Sequence, residues 1–173
     1  MSQIKKPKPE EYANFFRGYI DWVGNRNIID LLEEQHHEYI QLLGDIPEEK
    51  MQYAYATEKW KVAEVLGHVN DVERVMGYRA FRFSRNDKTV IPGFNDHHYV
   101  NNGDFANRPK ETFIREFDGL RQSNLEMLKN LSEDQTKNTG KANEVIFSVR
   151  ALAYIMAGHC GHHLIVLRER YEL

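Results

Sequence analysis

The stretch VAEVLGHVNDVERVMGYRAFRF, residues 62–83, places Val62, Val65, Leu66, Val69, Val72, Val75 and Met76 at spacings of three and four, with few strong breakers before Ser84. That is the repeat of an α-helix with one apolar face. His68 falls within this face, among Val65, Leu66, Val69 and Val72, so it is expected to point into the protein.

The same repeat recurs on either side. Ile28, Leu31, Leu32, Gln35, Tyr39 and Leu42 predict a helix that ends at Gly44 and Pro47. Phe113, Phe117, Leu120, Leu125 and Leu128 predict another, with Pro109 at its N-terminus. A fourth runs through SVRALAYIMAGHCGHHLIVLRERY, residues 148–171, with Ser148 as its N-cap. Residues 86–109 are dense in Asn, Asp, Gly and Pro, and so long a connection in a compact domain is usually functional. It is expected to close over something. Strand-like patches such as EVIFSV at 144–149 are too few to build a sheet. The expectation is an all-α four-helix bundle with long inter-helix connections, a single domain over residues 1–173.

Composition narrows the function. The 23 Lys and Arg against 26 Asp and Glu give a net charge of -3, without the basic face of a nucleic-acid binder. One cysteine, Cys160, excludes an internal disulfide and fits a reducing compartment. No run approaches the roughly 18 apolar residues of a membrane span, and the N-terminus has no signal-peptide core. A cytoplasmic protein without nucleic-acid or membrane partners is expected.

Histidines carry the chemistry. His159 and His163 are four apart and share a helix face, whereas His162 is rotated about 100° from His163. With Leu152, Ile155 and Met156 a turn or two earlier, the pair is expected to face inward. His68 could supply a third imidazole, and three neutral imidazoles from two helices would hold Zn²⁺, Ni²⁺ or Fe²⁺ with a position left for water or substrate. The alternative is a set of separate histidines, one in the core and the others at the surface. Glu64, four before His68, and Asp71, three after it, could orient a ligand or act as base, or could belong to the polar side of the helix. His36 and His37 read as a solvated helix face, because the di-iron pattern needs a second Glu-x-x-His and further glutamates. His97 and His98 read as surface residues of the long connection that could reach a site opening. Cys160 points about 100° away from His159 and reads as a packing residue, although a thiolate could bind Zn²⁺.

Three stretches together, EKWKVAEVLGHVNDVERVMGYRAFRFSRND, IPGFNDHHYV and SVRALAYIMAGHCGHHLIVLRERY, resemble the DinB-like (DinB/YfiT-like) superfamily of four-helix-bundle metal-dependent enzymes, from about Tyr19 to Tyr171. The resemblance implies a divalent metal on His68, His159 and His163. The chain departs from that pattern in two places. Cys160 stands where relatives often carry an acidic residue, which could alter hydrogen bonding to the ligands. Lys61 stands where they carry Ser or Thr, which affects the cap of the second helix.

The resemblance also implies an activity, since the superfamily includes thiol transferases that use bacillithiol or mycothiol and members assigned as metal-dependent hydrolases. The leading expectation is a thiol S-transferase with a low-molecular-weight thiol such as bacillithiol as cofactor and a small-molecule substrate. A hydrolase using metal-bound hydroxide, with Glu64 or Asp71 as base, is the first alternative. A non-catalytic metal- or ligand-binding bundle with a stress-response role is the second. Bundles of this kind often pair, so a homodimer is expected.

Overall fold

The computed structural model describes residues 4–173. Four long helices carry the architecture: α2 (Ile28–Asp45), α3 (Val62–Ser84), α5 (Lys110–Lys129) and α7 (Val149–Arg170). They are supplemented by the short helices α1 (Arg17–Val23), α4 (Asp96–Asn102) and α6 (Glu133–Lys137), and by a hairpin of β1 (Thr139–Ala142) and β2 (Val145–Ser148). Helices α3 and α7 form the main packed pair, α2 and α3 both lie on α5, and α1 lies along α7. The fold is the expected four-helix bundle. Among the described residues no helix is long and apolar enough to cross a membrane.

Local chemistry sets the helix ends. The Asn27 side chain accepts from the Ile29 amide at 3.1 Å, which satisfies one free donor at the start of α2. Ser148 does the same for Ala151 at 3.1 Å at the start of α7, as its sequence position predicts. Lys61 has no acceptor side chain to offer, and the start of α3 is instead closed from inside, where the Glu64 carboxylate accepts from the Lys61 amide at 2.7 Å.

The EVIFSV patch does form a strand. Val145–Ser148 pairs antiparallel with Thr139–Ala142, and both turn residues, Asn143 and Glu144, have positive φ, the mark of a two-residue hairpin turn. The long connection then joins the hairpin: Ile91 donates to the Lys141 carbonyl at 2.9 Å and accepts from Asn143 at 3.1 Å. These pairings anchor residues 86–109 beside the bundle, and the Asn95 side chain starts α4 by accepting from the His98 amide at 2.8 Å.

Two apolar clusters fill the bundle. One gathers Leu31, Met76, Leu128 and Leu152 with the hairpin's Phe147, and the other Tyr39, Leu66, Phe117 and Leu164. Polar side chains lie between them. Arg121 is fully buried, donates to both carboxylate oxygens of Glu73 at 2.9 Å and reaches the Leu32 carbonyl at 3.1 Å. Asn124 donates to Glu73 at 2.8 Å, and Gln35 donates to the Ala157 carbonyl at 2.8 Å. His36 was expected on a solvated face. It is buried, and its Nε2 meets the Asp118 carboxylate of α5 at 2.8 Å, while His37 is exposed.

Helix α1 was not anticipated. It reaches α7 because Gly158 and Gly161 present bare backbone there: a Cβ at Gly158 would come within 2.7 Å of the Tyr19 backbone, and one at Gly161 within 2.2 Å of the Trp22 ring. The preceding segment is tied to the start of α7, with Glu11 ion-paired to Arg150 and accepting from Ser148 at 2.6 Å. Burial pushes the Glu11 carboxyl up, but the hydrogen bonds and charge of Arg150 and Ser148 outweigh it and hold the pKa below the ordinary value.

Candidate metal centre

His68 on α3 and His159 and His163 on α7 converge in the groove between the two helices, each no more than 8% exposed. One ligand nitrogen from each lies within 4.8 Å of the others. The Nε2 atoms of His68 and His159 are 2.9 Å apart, and the three ring centroids are 4.5 to 5.0 Å from one another. The four-residue spacing on α7 and the tight α3–α7 packing produce this convergence. His162 is exposed, as its rotation predicts.

Aromatic rings hold the imidazoles in place. Tyr19 of α1 meets His159 edge-on at 5.8 Å, which ties the two glycines of α7 to the site: they admit the helix that supplies this ring. Trp60 lies 4.8 Å from His68 on one side and 5.1 Å from His97 on the other. The Tyr171 hydroxyl fixes Trp60 by donating to its carbonyl at 2.6 Å. His97 and His98 are exposed, but His97 reaches the site's edge through that stack.

The environment keeps the imidazoles neutral. Burial lowers the His68 pKa to about 4, against a weaker upward pull from Asp96, and the charges of His97 and His162 lower it further. Burial holds His159 and His163 well below the ordinary value, and the neighbouring histidines add to it. Neutral imidazole is the ligating form, so the set needs no proton removed to take a cation at neutral pH. Three neutral nitrogen donors suit Zn²⁺ and its first-row neighbours. The buried Nδ1 of His163 has no hydrogen-bond partner among the described residues, which leaves a donor atom uncommitted in this group. The residues fit a divalent metal.

The other candidates have partners of their own. The Glu64 carboxylate is engaged with the Lys61 amide. Asp71 has Glu116, Arg74 and Arg108 as its charged neighbours, and burial followed by Glu116 pushes its pKa up. Cys160 packs in the core against Arg121 and Glu73, and burial raises its pKa to about 11. The carboxylate whose charge reaches His68 is instead Asp96, at the start of α4. The clue in the sequence was its place in FNDHHYV, directly before two histidines.

Two cavities, each about 390 Å³, meet the triad from different sides. The first touches His68 and His159 and runs between α3, α1 and the hairpin, with Asp96 on its wall. The second touches His163 and lies among Trp60, His97, His162 and Tyr171.

Among curated proteins, none matches this sequence. Among solved structures, the chain is similar to YfiT from Bacillus subtilis, described as a probable metal-dependent hydrolase with an unusual four-helix bundle topology. The identity is 16%, the TM-score 0.76, and the likeness covers 96% of this chain and 93% of that one. That likeness shows the bundle topology. Residues 31–167, from the first turn of α2 to the last turn of α7 with all three histidines inside, match the family model of the DinB superfamily, and the chain belongs to that superfamily.

Proposed function

We propose that the protein is a metal-dependent S-transferase that joins a small thiol to a second small molecule, with His68, His159 and His163 holding the metal. The observation that carries this reading is that separate cavities of similar size reach the triad from two sides, one at His68 and His159 and one at His163. A transferase must seat two molecules against one centre. A hydrolase needs one substrate and water.

A divalent metal on three protein ligands supplies a Lewis acid with a free position, which lowers the pKa of a bound thiol or water. The chain's own residues do the rest. Tyr19, Trp60 and the α3–α7 groove fix the imidazoles. In the transfer, the thiol sulfur forms a bond to an electrophilic carbon of the acceptor, and the leaving group departs with the bonding electron pair. Asp96, on the cleft wall beside His68, takes the thiol proton on a carboxylate oxygen. The thiol enters through the cavity beside His97 and His162 with its sulfur at the triad, and the acceptor lies in the cleft of Tyr19 and Asp96.

The test begins with metal content. About one zinc ion per chain after reconstitution, lost in His159→Ala, is expected. The loaded protein is then given bacillithiol or cysteine with monochlorobimane, and products are resolved by mass. A thioether adduct forming above the uncatalysed rate, and slowed in Asp96→Asn at unchanged metal content, supports transfer. Turnover of carboxylic ester substrates without any thiol would instead make the protein a hydrolase.

A further inference from the structure

Arg79 is 3% exposed and lines the cleft that touches His68 and His159. Among the described residues no carboxylate pairs with it. Its Nε is buried without a partner, and its other contacts are long: 3.4 Å from Nη2 to the Pro92 carbonyl and 3.9 Å from Nη1 to Met76 Sδ. The rings of Phe94 and Phe147 lie 5.6 and 5.8 Å from the guanidinium carbon. Ring faces attract a cation but satisfy few of its five N–H donors. The other buried guanidinium groups among the described residues are paired: Arg121 spends its donors on Glu73 and a carbonyl, and Arg150 pairs with Glu11. A desolvated cation without a counter-charge is a cost that a fold carries where a ligand offsets it.

The cleft is polarised. His68, Val72, Met76 and Arg79 line it from one stripe of α3, because steps of four, eight and eleven residues return to within about 80° of the same direction. Asp96 stands by His68 at one end and Arg79 at the other, about 16 Å further along the helix axis by backbone rise and closer by the backward lean of its side chain toward Met76. Between them the walls are Phe16, Tyr19, Phe94, Phe147 and Ile155.

We propose that this cleft takes an acceptor with an apolar, aromatic-sized body and a terminal carboxylate, the carboxylate paired to Arg79 and the reacting end at the triad. The assignment of the reacting end rests on the metal-centre reading; the carboxylate site does not need it. Burial lowers the Arg79 pKa from its ordinary value, yet a guanidinium stays charged at neutral pH. A carboxylate there gains the planar two-point pairing that the unbonded donors offer.

Calorimetric titration of the full chain with 2-naphthylacetate and with its neutral amide, 2-naphthylacetamide, tests this, on both zinc-loaded and zinc-stripped protein. The acetate is expected to bind roughly 10- to 100-fold tighter in both states, the range for a charge-assisted pair. Arg79→Met is expected to bind the amide as before and lose the preference, and Arg79→Lys to keep only part of it. Amide binding shows that the variant's cleft is intact; if Arg79→Met fails to fold, the lysine variant decides. Equal affinity for the two probes, binding of neither at millimolar concentration, or a preference untouched in the variants would overturn the proposal. So would a preference that vanishes on zinc removal with Arg79 intact, since the carboxylate would then belong to the metal. Metal content, measured separately, reports on the triad, so the two readings fail independently.

Discussion

At the scale of single residues, what a side chain can do is set by what stands opposite it. Glu64 and Asp71 flank His68 on the sequence, but both are turned about 40 to 60° one way around α3, while Val72 and Met76 are turned about 40 to 80° the other way and line the cleft. The carboxylate whose charge reaches His68 and that lines the cleft with it stands on α4, as Asp96, which no periodicity could have paired with His68. His36 was misjudged for the same reason, since its partner Asp118 is 82 residues away on another helix. Cys160 was placed correctly on the packing side, because rotation by one residue is a local property. Its thiol is 1% exposed, and burial raises its pKa to about 11, so it stays protonated and shielded at pH 8. The native protein should leave a disulfide reagent such as DTNB unreacted at that pH and release one thiol equivalent on unfolding in guanidinium. Rapid native labelling would contradict the assigned burial.

At the scale of elements, the two α7 glycines were visible in AGHCGHH, but their purpose was not. A glycine inside a helix usually costs up to about 1 kcal/mol against alanine. At Gly158 the substitution should reverse that sign, because the new Cβ would press on the Tyr19 backbone at 2.7 Å, which cannot swing away as a side-chain tip can. Gly158→Ala is expected to destabilise by about 1–3 kcal/mol in urea denaturation, the range for overpacking. Gly119→Ala is the control: that position in α5 is exposed, with nothing within 4 Å of an added Cβ, so it should gain about 0.5–1 kcal/mol. If both substitutions stabilise alike, the close approach of α1 is wrong. The strand at 145–148 shows the converse limit, because an isolated apolar patch becomes a strand only when a partner strand and a turn with positive φ are available.

At the scale of the whole molecule, the amphipathic helices α2, α3 and α5 and the largely buried α7 close around two apolar clusters and the buried Glu73–Arg121 ion pair. Removing one member of such a pair leaves the other charge unmatched, typically at about 3–5 kcal/mol, whereas replacing both with apolar side chains is often close to neutral. Glu73→Leu and Arg121→Met should each destabilise by that order, and the double variant by less than either alone, in equilibrium denaturation at pH 7. Additive losses would mean that Asn124 and the Leu32 carbonyl matter more than the pairing. The sequence by itself determined the four long helices, the apolar stripes of α2, α3 and α5 and the shared face of His159 and His163, because helical repeat and side-chain direction depend on neighbours within about one turn. Only the tertiary structure decided that His68 meets that pair, that α1 packs on bare backbone, that Asp96 lines the cleft beside His68 and that Arg79 is buried with no carboxylate partner among the described residues. Those facts depend on how helices distant in the chain are packed against one another, and periodicity within one helix carries no record of that.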